Sequence, residues 1–115
     1  MIKLNFRDIN EIDSVDPVYQ DIEELSLNHN HLMSLEGIQQ FRCLRVLNLN
    51  FNQLRGRAEL DKIIVKERLL ELNIRGNPHI EANLSPNEID LVSYIMQLFP
   101  CLEVLNGQQV RQKVV

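Results

Sequence analysis

Apolar and polar positions alternate over short stretches of this chain, and the stretches recur. Leu25 and Leu27 flank Ser26, Leu47 and Leu49 flank Asn48, and Leu72 and Ile74 flank Asn73. Such alternation is the period of a strand with one face buried. An apolar residue precedes each pair (Ile22, Leu44, Leu69), and an asparagine follows it (Asn30, Asn52, Asn77). Another apolar residue closes each copy (Leu32, Leu54, Ile80), and a partial copy follows at Leu102 and Leu105. Asparagine carries both a donor and an acceptor. At the turn leaving a strand it can satisfy backbone groups that no ladder reaches.

Between strands the pattern predicts return segments. Residues Met33 to Phe41 read as short 3₁₀ or irregular structure. Glu59 to Val65 reads as a helical turn or two, with Leu60, Ile63 and Ile64 as its apolar side. The third return segment opens with Ser85-Pro86-Asn87-Glu88, a capping box with proline at the first helical position. Ile89, Val92, Ile95, Met96 and Phe99 then follow at helical spacing, and Pro100 ends the helix. At the other end, Leu4 and Phe6 lie 21 residues before Leu25 and Leu27 and read as a degenerate first strand, with Ile9 in place of the asparagine. Asp16-Pro17 begins a turn or short helix leading to Ile22.

This spacing is the leucine-rich repeat signature. It predicts an α/β fold: a leucine-rich repeat solenoid with a parallel sheet on the concave face, a helical or 3₁₀ convex side and a C-terminal cap. One domain is expected over 1–115: a degenerate first repeat 1–21, repeats 22–43, 44–68 and 69–101, then a terminal strand and cap 102–115. No single copy can bury its leucines alone, so stacked neighbours must share one core. The first strand has no cap before it. Its bare edge is expected to pair with a partner or to be covered by an additional domain of a longer protein.

Composition narrows the function classes. Over 115 residues, 44% are hydrophobic and 24% charged, as in an ordinary globular domain. The net charge of -4 gives no overall basic field for nucleic acid. No apolar run approaches the roughly eighteen residues of a membrane span, and the N-terminus does not read as a signal peptide. Cys43 and Cys101 hold equivalent positions ahead of Leu44 and Leu102. Two strand spacings place them about 10 Å apart, beyond the roughly 7 Å limit of a disulfide. Both are expected to be reduced, small apolar fillers, which suits an intracellular compartment.

The chain offers no constellation for catalysis. It has no Gly-rich phosphate loop, Gly-x-Ser-x-Gly elbow or Cys-x-x-Cys pair. His29, His31 and His79 read as turn histidines in water, not metal ligands. No enzyme activity, catalytic residue, cofactor, metal site, small-molecule substrate or membrane partner is expected. The candidate chemistry lies on the concave face: Lys3, Asn5 and Arg7; Glu24, Ser26 and Asn28; Arg45, Val46, Asn48 and Asn50; Glu71, Asn73 and Arg75; and Asn106. Ser26, Asn48, Asn73 and Asn106 should form a column across its middle. Its mixed charge favours a protein partner over phosphate-driven binding, with RNA second. Phe41 reads as core, and Phe51 as packing between repeats with a partner contact second.

One stretch is more specific. Leu44-Arg45-Val46-Leu47-Asn48-Leu49-Asn50-Phe51-Asn52-Gln53-Leu54, then Arg57-Ala58-Glu59-Leu60-Asp61-Lys62-Ile63, resembles the repeat domain of the general mRNA export receptor family. The likeness continues through Gly76-Asn77-Pro78, Leu98-Phe99-Pro100 and Leu105-Asn106-Gly107. That resemblance implies a module of an mRNA nuclear export factor, contributing to RNA and adaptor binding in the nucleus and at the nuclear pore. Axonemal dynein light chains, phosphatase-regulating subunits and a spliceosomal subunit share the same repeat-plus-cap layout. Similarity to them implies a protein-binding subunit of an assembly, in the cytoplasm where the export likeness fails.

Overall fold

The computed structural model describes residues 1–81 and 90–111. Each alternating stretch forms a short strand: β1 Ile2–Lys3, β2 Glu24–Ser26, β3 Val46–Asn48, β4 Glu71–Asn73 and β5 Val104–Leu105. These lie side by side in chain order, all parallel. The register pairs Leu25 with Leu47, Leu47 with Leu72 and Leu72 with Leu105. All four leucines therefore face one core, and all are buried.

The strands are short, but the ladder is longer. Leu27 N–H donates to the Asn48 carbonyl and His29 N–H to the Asn50 carbonyl. Leu49 and Phe51 repeat this toward Asn73 and Arg75. Below the ladder the asparagines close each turn. Asn52, fully buried, accepts the Leu32 N–H at 3.1 Å and donates to the Leu27 and Leu49 carbonyls at 3.0 and 3.1 Å. Asn77 donates to the Leu49 and Ile74 carbonyls, and Asn30 to those of Leu4 and Leu27. Each side chain thus ties its own repeat to the preceding one.

The return segments are mainly 3₁₀: Pro17–Tyr19, Ile38–Gln40 and Arg57–Lys62. With 22 to 25 residues per repeat between Leu25, Leu47 and Leu72, the tighter 3₁₀ rise spans the return in few residues. Leu60 and Ile63 are buried there, whereas Ile64, expected on the same apolar side, is 53% exposed. Three residues per turn bring Leu60 and Ile63 onto one face and leave Ile64 off it. Glu59 anchors this segment. Its carboxylate accepts from Lys62 Nζ and from the Leu35 N–H, both at 2.9 Å.

After β4 comes one short helix, α1 Pro78–Glu81, and then α2 Leu91–Leu98. The Ser85–Glu88 capping box and Ile89 lie outside the described residues. Asp90 caps α2, accepting the Ser93 N–H at 3.0 Å. That bond and the Ser93 hydroxyl hold its carboxyl below the ordinary range. Ile95 and Phe99 are fully buried against the repeat core, and the helix ends before Pro100 as its sequence dictates. Val92, expected on the buried face, is half-exposed.

Three expectations need correction. First, Ile2 pairs with Leu25, so Leu4 is level with Leu27 and Phe6 with His29. Leu4 and Phe6 are two residues out of their expected register. A two-residue slip keeps the same residues on the same side of a pleat, so alternation alone could not detect it. Second, the sheet is not wholly parallel. β6 Gln108–Gln109 runs antiparallel to β5 through Asn106-Gly107, both with positive φ. An Asn-Gly pair is the common signal for such a hairpin. Third, Cys101 is exposed and fills no core, while Cys43 is half-buried; both are free thiols.

Candidate binding face

The face of the sheet opposite the leucines carries the predicted positions. Ser26, Asn48 and Asn73 pair strand to strand, and Asn106 continues the line beyond Leu105. The column is present, but much of it is bonded internally. Ser26 is 2% exposed, and its hydroxyl donates to Asn5 Oδ1 at 2.7 Å. It is therefore removed from the exposed surface. Asn73 donates to Asn48 and to Glu71, and its own oxygen accepts the Gly107 N–H. Asn106 accepts the Ile74 N–H.

A second column stands one step further along the chain direction. Asn5 Oδ1 accepts the Asn28 N–H, Asn28 Oδ1 accepts the Asn50 N–H, and Asn50 Oδ1 accepts the Arg75 N–H, each at 2.8 Å. Lys3 and Arg75 are exposed, while Glu24, Val46 and Glu71 are half-buried on the same side. Arg45 lies at the opposite end of the strands, 3.8 Å from Glu23. Arg7 belongs to the turn after Phe6, where its N–H donates to Asn30. Arg7 and Arg45 thus flank the sheet face and do not lie within it.

Beside the amide column runs a feature the sequence reading missed. Phe6, His29 and Phe51 each follow an asparagine of that column, and each has a left-handed backbone with φ of 57°, 57° and 59°. Their rings stack, Phe6 on His29 at 4.3 Å and His29 on Phe51 at 4.6 Å, nearly parallel. Phe6 is 73% and Phe51 51% exposed. A left-handed conformation costs a bulky side chain about 1–2 kcal/mol. In the next repeat the equivalent residue is Gly76, at φ 73°. The signal was readable: all four positions lie two residues after an inward-facing apolar residue. The mistaken register of Phe6 hid it.

The remaining candidates fall outside this face. His31 pairs with Asp8 at 3.2 Å, and Phe41 is buried in the core. An apolar cavity of about 360 Å³ opens at the β1 end, lined by Ile2, Leu4, Val15, Ile22 and Phe41 among others. Among the described residues no cluster of His, Cys, Asp or Glu could hold a metal, and no helix is long and apolar enough to cross a membrane.

No family model matches the chain. A centrosomal protein of 72 kDa from Mus musculus is 32% identical over 91 residues, 79% of this chain and 13% of that protein. Leucine-rich repeat-containing protein 36 from Homo sapiens is 28% identical over 94 residues, 82% of this chain and 12% of that protein. The chain therefore spans about an eighth of the length of these relatives. Among solved structures, a chain of the Chaetomium Mex67:Mtr2 subunits superposes with a TM-score of 0.64 at 28% identity, covering 86% of this chain and 64% of that one. A chain of the Drosophila melanogaster SNF/U2A' complex gives 0.63 at 19% identity, covering 96% and 74%, which shows the shared fold alone. This chain is a leucine-rich repeat protein, and it resembles the repeat domain of the mRNA export receptors.

Proposed function

We propose that the chain is a non-enzymatic binding module. The open face of its sheet, the concave side of a single solenoid domain, receives a protein partner. One observation carries this reading: the face is built from strand positions that the core does not use. Lys3, Glu24, Val46, Glu71 and Arg75 stand there with both signs of charge, on a scaffold held rigid by its amide network. A polar surface of mixed charge on a preorganised sheet suits a protein interface. The Asp90-capped helix and the residues around Leu102 act as the C-terminal cap that shields the last repeat. Two comparisons support the reading: one relative is a centrosomal protein, and the two solved structures named above come from complexes.

The second reading is RNA and adaptor binding within an mRNA export factor, in the nucleus. The 28% identity to the Chaetomium chain favours it. The two readings differ in their response to salt. A labelled RNA 20-mer bound through phosphates should lose affinity by orders of magnitude between 50 and 200 mM salt. The protein-binding reading predicts no measurable RNA affinity at 150 mM. It also predicts a discrete protein partner on affinity purification, lost with Glu71→Lys. Tight, salt-sensitive RNA binding with no such partner would replace the first reading by the second.

A further inference from the structure

The amide and ring columns have a chemical polarity that selects their ligand. Asn5, Asn28 and Asn50 each meet a backbone N–H of the next repeat. A backbone N–H only donates, so the atom facing it is the amide oxygen, and the NH₂ group points away. Among the described residues those three NH₂ groups have no acceptor. Strand spacing places them about 4.8 Å apart. The result is a row of donors whose matching acceptors are already engaged.

The rings beside the row are closed on their faces and open at their edges. His29 lies between Phe6 and Phe51. Gly76 lies so close to the far side of Phe51 that a Cβ there would stand 2.3 Å from the ring. A stacking nucleobase needs a free ring face, and Phe6 alone has one. The net charge of -4 also opposes phosphate. An extended β-strand ligand would bring as many N–H donors as carbonyls, whereas the row turns its NH₂ groups outward and its oxygens toward the next repeat's N–H groups. The ligand that fits supplies carbonyls without N–H groups and packs compact hydrocarbon against ring edges. Proline in a polyproline II helix does both. One turn of that helix, about 9 Å, matches the length of the ladder from Phe6 to Phe51, with its two steps of 4.3 and 4.6 Å.

We propose that the strip formed by Asn5, Asn28 and Asn50 with Phe6, His29 and Phe51 docks a proline-rich segment of a protein partner. This rests on the reading of the open face as a protein-binding surface. The test is a chemical-shift titration of the isotopically labelled protein with acetylated decaproline. Two variants accompany it. Phe51→Gly removes a ring and leaves a residue at ease with the left-handed backbone. Asn28→Asp keeps an oxygen for the Asn50 N–H and turns an oxygen outward in place of the NH₂. The expected result is saturable shifts at residues 5–7, 28–31 and 50–53, with binding at least tenfold weaker in both variants. Absence of saturable shifts at millimolar peptide, shifts elsewhere, or undiminished binding by the variants would overturn the proposal. So would a single-stranded RNA oligonucleotide moving those amides where the peptide does not. A photocrosslinking side chain at position 46 separates the two levels. Partner capture there without decaproline binding sinks the proline site alone; loss of both sinks the binding face as well.

Discussion

The first three repeats and the fourth share one backbone turn and differ in what stands on it. Phe6, His29, Phe51 and Gly76 all adopt the same left-handed turn after the strand. At Gly76 the conformation is easily adopted, because glycine has no Cβ to clash. In the N-terminal three it is strained, and exposed rings occupy it. Burial does not account for those rings, since Phe6 and Phe51 are more than half exposed. The proposed strip gives strain at these exposed positions a use, whereas Gly76 shows what the fold itself requires. The scaffold and the strip are thus separable in principle.

Experiments can break that separation. The largest effect belongs to the scaffold. Asn52→Ala would leave the Leu32 N–H without its partner and remove one of the two amide donors at each of the Leu27 and Leu49 carbonyls. At about 1–3 kcal/mol for the unsatisfied N–H and about 0.5–1.5 kcal/mol for each of the two lost bonds, it should destabilise by about 3 kcal/mol in denaturant titrations. Gly76→Ala comes next. Its Cβ would meet the Phe51 ring at 2.3 Å at an already unfavourable φ, so about 2–3 kcal/mol and displacement of the ring are expected. Gly107→Ala adopts an equivalent φ with no atom within 4 Å, and should cost about 1 kcal/mol. Equal losses at the two glycines would mean that the ring contact at Gly76 does not matter.

A smaller effect comes from pH. Burial raises the Glu59 pKa, but the hydrogen bonds from Lys62, the Leu35 N–H and Ser34 outweigh it and bring the value below 4.5. A depressed folded pKa stabilises above the unfolded value and is lost as pH falls through the folded one. Melting temperature should therefore fall on acidification below about pH 4.5, and fall less steeply in Glu59→Gln. Smallest of all is Phe6→Gly. Lost ring stacking of about 0.5–1.5 kcal/mol opposes relief of about 1–2 kcal/mol of backbone strain. Stability should change by less than about 1 kcal/mol while the exposed strip loses its outer ring.

The scaffold was legible in the sequence because its residues repeat. The inward leucines, the buried asparagines and the helix stop at Pro100 all follow from period and from simple chemistry. The outer face was legible only as positions. That Ser26 would be buried, and that Asn28 and Asn50 would bind the next repeat's backbone, depends on side-chain geometry that alternation does not encode. The aromatic column needed the register of β1. A slip of two residues, invisible to a period of two, set Phe6 beside Leu27 and not beside His29. The Asn106-Gly107 hairpin was legible from its dipeptide but was absorbed into the reading of a terminal strand and cap.

The most direct test compares the two sides of the sheet. A photocrosslinking side chain is placed at position 46, on the open face of β3, or at position 64, exposed on the 3₁₀ side. Adducts formed in cells by each protein are then resolved and sequenced. The account predicts one discrete protein adduct from position 46 and none from position 64. The same adduct from position 64 alone, or nucleic acid in place of protein at position 46, would contradict it.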